Sequence, residues 1–136
     1  MRKFFTHTFL ISLITTNLYS IDLTKDTWKL TEFNKQIINP DSEQPFISFN
    51  DGEITGFLGC NNFFGSYELN NNKIKINPVA RTLKMCANIT LEDRLNESFQ
   101  FMSYYKIKSN TLKIYDDNYN EIAIFKRENK NLDVSF

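Results

Sequence analysis

Histidine is nearly missing from this chain. The only one, His7, lies in an N-terminal stretch that reads as a leader. A mature chain without histidine excludes Ser-His-Asp triads, Cys-His dyads and histidine metal sites together. An excess of positive charge is missing too. Removing Arg2 and Lys3 with the leader leaves 14 basic against 16 acidic side chains, a net charge of −2. That balance is no footprint for nucleic acid or for an anionic membrane surface. A long hydrophobic run is also absent. Phe9 to Ile14 is short and interrupted by Ser12, too short to span a bilayer.

What residues 1–20 do contain is a basic start, that short apolar run, and Leu18-Tyr19-Ser20 ending in a small residue. This is the pattern of a secretory signal, cleaved after Ser20. The alternative is an uncleaved anchor, because Leu18 is a poor residue at its place in a cleavage site. No cysteine lies near the cut, which closes the lipoprotein route. The expected organisation is a signal at 1–20, one domain at 21–128 and a polar tail at 129–136. The expected location is periplasmic or secreted, with no membrane span in the mature chain. The 116 residues left are one domain by size.

Cys60 and Cys86 are the two cysteines. Exported chains meet oxidants, so the pair is expected to form one structural disulfide. It would close a loop of about 27 residues, worth about 3.5 kcal/mol in the chain-entropy model. Two buried thiols, or a redox switch with Cys86 near a helix start, are the alternatives. No Cys-x-x-Cys pair supports the redox reading.

Short alternating runs separated by turn residues dominate the rest. Thr27 to Phe33 reads as a strand. Residues 34–45 read as a long connection. Phe46 to Phe49 and Glu53 to Leu58 flank Asp51-Gly52, a strong hairpin signal. Phe63 to Leu69 meets Lys73 to Asn77 across three asparagines. Tyr104 to Lys108, Thr111 to Tyr115 and Glu121 to Lys126 form a meander. One helix is expected, with Thr90 as N-cap, Glu92 and Asp93 complementing its dipole, and Leu91, Leu95, Phe99 and Met102 as its apolar stripe. The expected fold is α+β. About eight short antiparallel strands form a strongly curved, barrel-like sheet packed on one main helix.

GCNNFFGSY, Gly59 to Tyr67, resembles the GCN-x-F/Y-x-G-x-Y motif of META domains, the HslJ-like heat-shock family. Thr82 to Cys86, TLKMC, matches the spacing of its T-R-M-x-C motif, although Lys84 stands where methionine is usual. Ile47 to Gly56 and Trp28 to Leu30 fit the opening of the family, and the similarity covers residues 26–127. The resemblance implies a sheet wrapped around a helix in a bacterial envelope protein. It also implies an association with heat induction, novobiocin tolerance, and motility or virulence. It implies no enzymatic activity. Many bacterial relatives are lipoproteins, and this chain lacks the lipid-accepting cysteine.

No catalytic residue, metal site or cofactor is expected. Gly59, Asn61 and Gly65 are read as serving backbone geometry, with a ligand-contacting loop as the alternative. An alternating strand buries only one of Phe63 and Phe64. The other, beside Tyr67, would mark a contact patch. Gly59, Asn61, Phe63, Phe64, Gly65, Tyr67 and Thr82 are therefore the candidate surface. Asp116 to Glu121 resembles a calcium loop, but Glu121 and Arg127 stand where glycine and glutamate are needed, so it reads as a polar turn. The expected partner is another envelope protein, not nucleic acid. A small apolar ligand held in a cup of the sheet is the alternative.

Overall fold

The computed structural model describes residues 22–39 and 43–128. The expected leader and tail lie outside these residues.

Strands β1 (Thr27–Phe33), β3 (Phe46–Asn50), β4 (Glu53–Phe57), β5 (Asn62–Asn70), β6 (Lys73–Ile76), β8 (Tyr104–Lys108), β9 (Thr111–Tyr115) and β10 (Glu121–Arg127) run antiparallel in one sheet. β10 also pairs with β1, from Trp28 opposite Arg127 to Phe33 opposite Ala123, which closes the sheet into an eight-stranded barrel. Two short strands lie off it: β2 (Gln36–Ile37) beside β1, and β7 (Ala80–Arg81) beside β5. The barrel-like α+β expectation is met, and closure leaves its eight strands no free first or last edge.

The turns explain the register. Asp51 and Gly52 both have positive φ, 44° and 84°, so a two-residue turn sets Asn50 opposite Glu53. Asn71 and Ser109 take positive φ in the β5–β6 and β8–β9 hairpins. The long connection expected over 34–45 contains β2, because Asn34 and Lys35 also adopt positive φ and fold the chain back on β1.

The interior is filled by aromatic and branched side chains. Trp28, Phe33, Phe49, Phe63 and Phe125 are buried with Leu30, Ile54, Leu58, Leu112 and Ile114. Helix α1 (Thr90–Ser98) and the 3₁₀ turn after it (Phe99–Phe101) add Leu95, Phe99 and Met102 to the same core. Phe99 meets Phe63 with ring centroids 5.1 Å apart. Leu91, the first residue of the expected stripe, is only half-buried. The cap differs from expectation. Ile89 is the N-cap and has no side-chain oxygen to offer, Thr90 is already helical, and Asn88 Oδ1 accepts from Thr90 N at 3.3 Å instead.

Candidate functional site

The two motif segments meet at a buried carboxylate. Glu92, 1% exposed, projects from the first turn of α1 toward the bend between β4 and β5. Its Oε2 accepts from the backbone N–H of Cys60 at 3.1 Å and of Asn61 at 2.6 Å. Its Oε1 accepts from Asn61 Nδ2 at 2.8 Å and from Arg81 Nη1 at 3.0 Å. A buried carboxylate is tolerated when its lone pairs are taken and its charge is paired. Here four donors, one of them the Arg81 guanidinium, do both. Arg81 also reaches Asp93 at 3.0 Å.

Asn61 is the hub. Its Oδ1 accepts from Lys84 N at 2.6 Å and from Thr82 Oγ1 at 2.9 Å, while its Nδ2 also reaches Lys84 O at 3.3 Å. One amide side chain thus engages both backbone groups of Lys84, as a neighbouring strand would. Backbone geometry is not what requires Asn61: its φ is not in the left-handed region, and its side chain makes the bonds that join the segments. Gly59 does serve geometry, at φ 116°. Gly65 serves a close approach. A Cβ there would meet Val79 Cγ1 at 2.8 Å.

Cys60 and Cys86 are joined by a disulfide, with Cα atoms 6.1 Å apart. The thiolate that the redox alternative requires is therefore not present in this form. Phe63 points into the core and Phe64 outward, 59% exposed. Tyr67 is not beside it on the surface. It is buried edge-on against Phe49, centroids 4.9 Å apart, and that burial raises its phenol above the ordinary value. Thr82 is exposed, and its Oγ1 also accepts from Asn62 N at 3.2 Å. Leu83 and Met85, which were not among the candidates, are 95% and 99% exposed.

The Asp116 turn keeps its carboxylate for itself. Oδ1 accepts from Asn118 N at 2.9 Å and Asn120 N at 2.8 Å, and Oδ2 from Asn120 Nδ2 at 3.0 Å. The Asn120 bonds, foremost its side chain, hold the acid below the ordinary aspartate value.

Both oxygens of the buried carboxylate are engaged by donors of the chain itself. The disulfide, together with the absence of any membrane-crossing helix among the described residues, is compatible with export.

Fold and site together define a small disulfide-tied barrel domain whose loop and helix are locked by one carboxylate. The chain belongs to the META domain family, whose model matches residues 21–129. META domains are not a known enzyme family. No curated protein matches. Solved structures share the fold. One NMR structure is 25% identical, with TM-score 0.62 over 76% of this chain and 90% of that one. A second, from Burkholderia xenovorans, is 17% identical, with TM-score 0.67 over 79% and 85%. The crystal structure of a DUF4847 family protein from Bacteroides vulgatus is 17% identical, with TM-score 0.59 over 76% and 93%.

Proposed function

We propose that this is an exported, non-enzymatic META-type domain, freed from a leader at residues 1–20. It would act in the periplasm or outside the cell by binding another envelope protein, in support of envelope stress or drug tolerance. The observation that carries the reading is the segment around Lys84. Leu83 and Met85 are almost wholly exposed. Yet the backbone between them is held by Asn61, and the disulfide anchors Cys86 one residue on. Apolar side chains on a fixed loop lose little freedom on docking, so their burial translates more fully into affinity. Phe64 points outward on neighbouring β5, opposite Ala80 of β7, the strand that leads into this loop. The apolar-ligand alternative draws no such support. The barrel interior is occupied by its own aromatic side chains, and a 550 Å³ surface depression over Phe46 and Phe57 is edged by Lys29, Glu43, Gln44 and Glu128.

A photo-crosslinking residue at position 85, used in the envelope of the producing cell, tests the reading. The expected result is one envelope protein that rebinds the purified chain. L83S/M85S should bind it at least about tenfold more weakly with an unchanged melting temperature. No partner, with a co-purifying small molecule instead, overturns the proposal.

A further inference from the structure

The net charge of the chain conceals a segregated face. In β8, β9 and β10, alternation turns Leu112, Ile114 and Phe125 into the core and Lys106, Lys108, Lys113 and Lys126 outward. The register then lines them up. Lys106 stands directly opposite Lys113, and Lys126 directly opposite Lys29 of β1. Lys108 and Lys126 flank Thr111 from its two sides. With neighbouring strands about 4.8 Å apart, the four strands place five ammonium groups across roughly 15 Å. Glu128 takes Lys29 at 2.6 Å and Glu121 takes Lys113 at 3.4 Å. Lys106, Lys108 and Lys126 make no ion pair among the described residues.

Like charges directly opposite on a sheet oppose its formation, and this face has two such pairs. Dense negative charge on a partner converts that repulsion into attraction. Lys106, Lys108 and Lys113 surround a 330 Å³ depression with Thr111 and Tyr115, room for a phosphate headgroup with hydroxyls beside it. All five cations are lysines, compact point charges suited to phosphate and without the planar fork of a guanidinium. Tyr104 faces Tyr115 at one end of the patch and stacks on Tyr119 with centroids 4.2 Å apart. Tyrosines of this kind settle at the bilayer–water boundary. The lysines occupy the outside of a barrel wall, which meets a surface more readily than it clasps a strand.

We propose that the β8–β9–β10–β1 face docks on an anionic phospholipid surface, with the lysines at headgroup phosphates and the tyrosine edge at the interface. This does not depend on the Leu83–Met85 proposal, which concerns a different loop. The test is sedimentation of the protein, purified in the form its cell produces, with vesicles of phosphatidylcholine alone or mixed with phosphatidylglycerol. Binding is expected only to the mixed vesicles and should weaken as salt rises. K106Q/K108Q/K126Q should lose about a hundredfold, roughly fivefold per lysine. Its melting temperature should equal or exceed that of the wild type, which shows that the variant is folded. Equal binding to both vesicles, or wild-type binding by the triple variant, overturns the proposal. So does retention on an acidic polysaccharide or on duplex DNA without vesicle binding.

Discussion

A carboxylate that receives four donors has no place for an amide. Replacing Glu92 by glutamine keeps the shape but turns an NH₂ toward N–H groups of Cys60 and Asn61 or toward Arg81. It also leaves the half-buried Arg81 with Asp93 as its one remaining ion-pair partner among the described residues. E92Q should cost about 2–4 kcal/mol, read as a lower urea midpoint at unchanged slope. An unchanged midpoint would refute the role given to Glu92. The sequence contains this residue but not its task. An acid in the first helical turn is already explained by the helix dipole, so nothing local demands a partner 31 and 32 residues upstream. Arg81 is hidden in the same way. Phe63 and Phe64 show the opposite case. Alternation stated that one would face outward, and only the packing of Phe63 against Phe99 decided which.

Elements were legible where turn chemistry was strict. Asp51-Gly52 has few conformations to choose from, and the β3–β4 hairpin follows. Asn34-Lys35 reaches the same left-handed backbone without glycine, so β2 carried no comparable signal. The turn between β9 and β10 makes a pH prediction. Asp116 is held below the ordinary aspartate value in the folded state. Its contribution is therefore complete above the unfolded value of about 3.9 and is lost as pH falls through the depressed folded value. D116N should flatten that acid limb of the stability profile, below about pH 4, and leave the profile near neutrality parallel to the wild type. A wild-type acid limb in D116N would show that Asp116 is not its source.

At the scale of the molecule, the disulfide links two segments 26 residues apart that are also bonded through Asn61 and Glu92. C60S/C86S should lower the melting temperature by roughly 10–20 °C under oxidising conditions, since a loop of this size is worth about 3.5 kcal/mol. No shift would refute a structural role for the bond. The overall fold class was legible because alternating runs and turns recur along nearly the whole chain. The basic face was not, because a net charge averages over surfaces that strand register keeps apart.

Closure of the barrel has a consequence in time. β1 completes its pairing on β10, and Glu128 N donates to Thr27 O at 2.8 Å. A chain delivered from its N-terminus therefore offers its opening strand first and waits almost the whole length for the partner. Such distant pairings slow folding and leave apolar faces uncovered meanwhile. Until Arg127 arrives, Trp28 lacks the guanidinium that lies 5.0 Å over its ring, and β1 remains a sheet edge awaiting its neighbour.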